Sequence, residues 1–180
     1  MPKQRDRVQM TPDEVAAMLA AGRKVQLATI SPDGYPHLVT MYYTLVDGKI
    51  AFWTYRTSQK ALNLARDPRI SCLVETGEAY FDLRGVQIQG IVETITDPDG
   101  VLQIGLGVGT AMARTPGADP GGADPGGADP GGADPGGADP SGADASAVTD
   151  YVANAARKRF GYIVSPVRVI SWDHTKLLGQ

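Results

Sequence analysis

The strongest chemical signal in this 180-residue chain is the run Phe52-Trp53-Thr54-Tyr55-Arg56-Thr57-Ser58-Gln59-Lys60. A strand-like stretch ends there and a helix begins at Ser58. The first N–H groups of a helix lack internal partners, and its dipole favours negative charge, so such a joint attracts an anion. Ser58 adds a hydroxyl, and Arg56 and Lys60 add two positive charges within the same turn. These features describe a phosphate site. They are equally met by a capped helix with solvated charges, and the residues alone do not choose.

Other candidates are weaker. Gly105-x-Gly107-x-Gly109 lacks both the GxGxxG spacing and the preceding strand of a dinucleotide loop. Cys72, within Ile70-Ser71-Cys72-Leu73-Val74, reads as a core thiol rather than a nucleophile. His174, in the tail Trp172-Asp173-His174, reads as a solvated side chain. No Ser/His/Asp arrangement emerges, so hydrolysis has little support. Two histidines and one cysteine leave no His/Cys zinc site and no disulfide framework.

The elements that would position the Phe52–Lys60 joint are mostly strands. Thr11-Pro12-Asp13-Glu14 is a capping box opening a helix over Pro12–Ala21, with Gly22 as its stop. The pattern then alternates with period two over Lys24–Ile30, Tyr35–Leu45 and Lys49–Tyr55. Pro32-Asp33-Gly34 and Asp47-Gly48 are the turns, which predicts a three-stranded meander. A helix over Ser58–Arg66 ends at Asp67-Pro68. Strands follow over Arg69–Glu75 and Tyr80–Ile95, the second bent at Gly85 and Gly90. Helical stretches span residues 98–114 and Val148–Arg159, and the last strands are Tyr162–Val164 and Val167–Trp172. The expected fold class is mainly β with interposed helices, a closed or half-closed antiparallel barrel.

Charge is unevenly placed. The whole chain is −3, yet residues 117–144 hold six of its twenty acidic groups and none of its seventeen basic ones. The remainder is therefore about +3, too weak and scattered for nucleic acid. Residues 117–144 repeat Gly-Ala-Asp-Pro with no aromatic or branched apolar side chain, and such a segment is expected to be a disordered, dispensable insert. Residues 1–116 and 145–180 would then form one cofactor-binding domain. The first 25 residues show no apolar signal core and no stretch approaches 18 apolar residues, so a cytoplasmic chain without membrane insertion is expected.

Several segments, taken together, resemble the pyridoxamine 5'-phosphate oxidase-like split β-barrel family of flavin and deazaflavin oxidoreductases. Leu27-Ala28-Thr29-Ile30 with Asp33-Gly34-Tyr35-Pro36-His37 looks like the family's first hairpin. Ile50-Ala51-Phe52-Trp53-Thr54, Ser58-Gln59-Lys60 and Asn63-Leu64-Ala65-Arg66-Asp67-Pro68 look like its phosphate-binding element. Gly85-Val86-Gln87-Ile88-Gln89-Gly90 and the closing Pro166–Asp173 run also fit. Three departures argue against the flavin mononucleotide (FMN) members. Gln59 stands where an arginine is usual, Val39–Tyr43 lacks bracketing basic residues, and Gly85 replaces a glutamine. The vitamin-oxidase C-terminal arginine motif is absent too. The pattern is closer to the branch that binds the deazaflavin coenzyme F420.

That resemblance implies a split-barrel homodimer with its cofactor at the subunit interface and hydride transfer to a small organic acceptor. It implies that Lys60, Ser58 and Thr57 grip the phosphate, with Arg56 close by. As a residue of the first helical turn, Lys60 is expected to be exposed, with its ammonium in reach of an anion on the free N–H groups. Backbone of Val39, Thr40 and Met41, with Trp53 and Thr54, would shape the ring pocket, and Tyr35 and His37 would face the substrate. No single catalytic residue is implied. The alternatives are an FMN oxidoreductase of the same barrel, a non-catalytic cofactor carrier, and a haem-binding barrel, which the shortage of histidines disfavours.

Overall fold

The computed structural model describes residues 4–113 and 145–178. The Gly-Ala-Asp-Pro repeat of residues 117–144 lies outside the described residues. The elements in chain order are α1 (Gln4–Val8), α2 (Pro12–Ala21), β1 (Lys24–Ile30), β2 (Pro36–Tyr42), β3 (Thr44–Val46), β4 (Lys49–Tyr55), α3 (Gln59–Arg66), β5 (Arg69–Thr76), β6 (Arg84–Ile95), α4 (Pro98–Ala113), α5 (Ala145–Ala156) and β7 (Arg159–Asp173), with a closing 3₁₀ turn at His174–Leu177.

Local chemistry sets several boundaries. At α2 the Glu14 N–H donates to Thr11 Oγ1 (3.2 Å) and the Thr11 N–H donates to Glu14 Oε2 (2.7 Å), so both halves of the capping box form. Lys176 Nζ lies 2.6 Å from the same Glu14 oxygen, tying the C-terminal turn to that helix. Asp47 (φ 50°) and Gly48 (φ 74°) both adopt the left-handed conformation required by a tight hairpin turn between β3 and β4.

All seven strands join one antiparallel sheet in the order β2-β1-β5-β6-β7-β4-β3. Its two edge strands, β2 and β3, are separated in sequence by Tyr43 alone. One residue cannot span a flat sheet of seven strands about 4.8 Å apart, so the sheet must curl until its edges meet. This is the split barrel. The meander is thereby corrected. The Tyr35–Leu45 run divides into two strands on opposite edges, and β4 pairs with β3 and β7, not with β2. Tyr43 makes the division: its N–H donates to the Arg23 carbonyl (3.0 Å) and its buried hydroxyl to the Leu19 carbonyl (2.6 Å).

The barrel interior holds Val25, Leu27, Ile50, Phe52, Ile70, Val74, Val86 and Tyr162, all buried. Phe52 and Tyr162 stack across β4 and β7 with ring centroids 5.2 Å apart. Outside the barrel, α4 lies over the other face of β4, where Ile104 and Val108 bury Ala51. α5 packs against α4 and β7. Among the described residues, no helix is long and apolar enough to cross a membrane.

Two smaller expectations change. β6 begins at Arg84, after a turn closed by the Asp82 N–H on the Ala79 carbonyl (3.0 Å). The last two strands are one continuous β7. Pro166 does not break it, because the register slips there, with Gln89 opposite Arg168 and Gly90 opposite Pro166. Val167 is the extra residue of a bulge, a place where a missing N–H costs no ladder bond.

Candidate active site at the β4–α3 joint

Alternation along β4 sends Ile50, Phe52 and Thr54 into the barrel, and Ala51, Trp53 and Tyr55 to the face beneath α4. Thr54 is fully buried, and its hydroxyl lies 3.1 Å from Ser58 Oγ. Ser58 is the N-cap of α3: its backbone is extended and its side chain accepts a long bond from the Ala61 N–H (3.4 Å). Two residues on, Lys60 is only 3% exposed. This corrects the expectation of an exposed lysine, since α3 is seated with its first turn turned inward. Asn63, one turn later, is fully buried and donates to Thr29 Oγ1 of β1 (3.0 Å), while Gln59 donates to Asn63 Oδ1 (2.8 Å). Helix α3 is thus fastened to β1 by side chains as well as to β4 by the chain.

Thr29, Thr54, Ser58, Lys60 and Asn63 are five of the six buried polar or charged residues among those described. Buried polar groups are costly in an apolar interior unless bonded, and here Thr54 meets Ser58 and Asn63 meets Thr29. Thr29 and Asn63 were not among the expected site residues. The available signal was an asparagine in the middle of a helix, where its propensity is poor.

The remaining expected residues divide between two places. Thr57 is exposed beside Ser58. Arg56 is also exposed, and its Nε donates to the Arg159 carbonyl (3.2 Å) with the guanidinium 4.9 Å from the Phe160 ring centroid. Trp53 lies on the opposite face from Thr54, in contact range of Gly105 and with the Arg159 guanidinium 4.5 Å from its ring. The side chains of Trp53 and Thr54 therefore take opposite faces of β4 within one chain. On β2, Met41 is buried in the core and Val39 packs against it, whereas Thr40 is exposed. As an edge strand, β2 directs every second N–H and C=O away from β1. Tyr35 is 74% exposed at the hairpin tip. His37 stands directly opposite Thr29, half-buried, and its Nδ1 is buried without a hydrogen-bond partner among the described residues.

Cys72 is 1% exposed and burial pushes its thiol up to about 12, the behaviour of a core residue. The glycines of α4 serve packing: a Cβ at Gly105 would lie 2.5 Å from the Trp53 ring, and one at Gly107 2.5 Å from Thr44 Oγ1. His174 is partly exposed, with Nδ1 2.7 Å from the Tyr80 carbonyl. No cluster of three or more His, Cys, Asp or Glu fit to hold a metal is found among the described residues.

The family model described as pyridoxamine 5'-phosphate oxidase matches residues 11–105, from α2 through the β4–α3 joint to the middle of α4. A solved structure of a conserved hypothetical protein from Mycobacterium tuberculosis is 33% identical, over 99% of this chain and 94% of that one, with a TM-score of 0.76. The chain belongs to the pyridoxamine 5'-phosphate oxidase-like split-barrel family. Two further structures share the fold alone. One is an F420 reductase (18% identity, 94% of this chain and 98% of that one, TM-score 0.54). The other is the heme storage protein HutZ of Vibrio cholerae (10% identity, 91% and 97%, TM-score 0.59). No curated protein matches. A barrel used by such different proteins does not select a cofactor, so function rests on the site.

Proposed function

We propose that the chain is an F420-dependent oxidoreductase acting as a homodimer on a small organic acceptor. The observation that carries this reading is the buried hydroxyl pair Thr54–Ser58 with Lys60 two residues on, at a helix start. Hydroxyls, an ammonium and free helical N–H groups are the donor set that a phosphate ester requires. Ser58, Lys60 and Thr57 hold the phosphate, and Arg56 adds positive charge at the rim. The outward backbone groups of Val39 and Thr40 offer in-plane donors and acceptors to a flat heterocycle, while the Met41 side chain belongs to the core. The chemistry that a bound deazaflavin supplies is hydride transfer. The protein's work is positioning and excluding water, so the absence of an expected acid–base pair is no obstacle. Exposed Tyr35 and Leu38 flank the open β2 edge, and a second copy covering it would complete the pocket and leave His37 and Tyr35 beside the acceptor.

The test is reoxidation of reduced F420 by the purified protein in the presence of quinones, tetrapyrroles and unsaturated aldehydes. At least one acceptor should restore the oxidised coenzyme's fluorescence. A yellow, photobleachable preparation that ignores F420 would identify the same phosphate site as an FMN site. Tight F420 binding with no active acceptor would identify a carrier.

A further inference from the structure

A cavity lies between the first turns of α4 and the end of α5, bordering the β4–α3 joint only through Arg56. It has a volume of about 320 Å³ and is lined by Arg56, Thr96, Asp99, Leu102 and Arg157 among others, with buried Val101 and Ala156 in its floor. Arg157 follows the last residue of α5, where the helix dipole favours a cation even with no ligand present. It is exposed and makes no ion pair or hydrogen bond among the described residues. Arg56 commits only Nε, to the Arg159 carbonyl, which leaves its two terminal nitrogens and their four N–H groups uncommitted among the described residues. One carboxylate, Asp99, opposes these two guanidiniums, and the start of the 16-residue α4 adds partial positive charge at the same end. The lining thus combines a cationic rim with an apolar floor.

We propose that this groove binds a small anion, a phosphate, sulfonate or carboxylate, carried on an apolar body that rests on Val101, Leu102 and Ala156. The guanidiniums offer the forked donors that such oxyanions accept in pairs. Arg56 lies at the border with the β4–α3 joint, so the anion has two possible sources: a separate small molecule, or a remote part of the ligand held at Ser58 and Lys60. The second source rests on the function proposed above; the first does not.

The test uses the full chain and the fluorescent probe 1-anilinonaphthalene-8-sulfonate, whose sulfonate and fused rings match the groove. The parent should bind it saturably, and pyrophosphate should displace it. Arg157→Ala should weaken binding about 10- to 100-fold, as expected for one lost charge-assisted pair. Arg157→Lys should recover only part of the loss, because it restores the charge without the forked donors, and Lys60→Met should leave probe binding unchanged. The melting temperature of Arg157→Ala should fall only slightly, because the residue is exposed and unpaired among the described residues and gives up only its favourable place at the helix end. If F420 displaces the probe and Arg157→Ala weakens F420, the groove holds part of the same ligand. If both bind together, it serves a separate molecule. Equal probe affinity in the parent and Arg157→Ala, or binding that never saturates, overturns the proposal, whatever Lys60 does for F420.

Discussion

At the scale of single residues, Lys60 decides most. A buried ammonium loses hydration and is tolerated only with partners, so replacing it alone by an apolar chain leaves those partners unsatisfied. Lys60→Met is expected to lower the unfolding free energy by about 1–3 kcal/mol, the cost of leaving a buried partner unsatisfied, as measured by urea denaturation. No local pattern announces this burial. A lysine after Ser58-Gln59 reads as a solvated first-turn charge, and only the seating of α3 against β1, through Asn63 and Thr29, turns it inward. Cys72 behaves oppositely, since its apolar neighbours announced its burial. Its thiol, raised to about 12, should resist iodoacetamide in the native protein and react only on unfolding. Rapid native labelling would show that β5 opens.

At the scale of elements, the outer face of β4 against α4 gives a paired prediction. A Cβ at Gly105 would meet the Trp53 ring, whereas one at Gly109 meets nothing within 4 Å. Gly105→Ala should therefore destabilise by about 1–3 kcal/mol through overpacking. Gly109→Ala should stabilise by about 0.5–1 kcal/mol through helix propensity. Thermal melts of the two variants should move in opposite directions. The legible elements were those with local signals: the capping box set α2 to the residue, and Asp67-Pro68 ended α3 where expected. The split between β2 and β3 has no Gly or Pro to mark it. Tyr43 matches its apolar neighbours in type and is distinguished only by tertiary bonds to Arg23 and Leu19. β7 misled in the other direction, because Pro166 signals a break in sequence and sits harmlessly at a bulge. Strand pairing across a barrel is a long-range property, and periodicity carries only which face each residue takes.

At the scale of the whole molecule, burial sets the alkaline limit of stability. The hydroxyls of Tyr43 and Tyr162 are pushed up to about 12 from an ordinary 10, and the Cys72 thiol to about 12 from 9, each by burial. The folded state therefore holds these protons more tightly than the unfolded chain. Their contribution is complete below pH 9 and is lost progressively as pH rises from 9 through 12. Melting temperature should fall over that window, and Tyr43→Phe should fall less, although it also forfeits the bond to Leu19. The proposed homodimer is checked by sedimentation at micromolar concentration, with an expected mass of twice 19.0 kDa. A monomer that still binds cofactor tightly would require a pocket built from one chain.

The central claim is that the β4–α3 joint holds the cofactor's phosphate through Lys60. Titration of F420 into the parent and Lys60→Met, followed by fluorescence quenching, measures it most directly. Loss of one charge-assisted hydrogen bond, worth about 1.5–3 kcal/mol, predicts affinity about 10- to 100-fold weaker in a variant that remains folded. Equal affinity in the two proteins would place the phosphate elsewhere and contradict the assignment of the site.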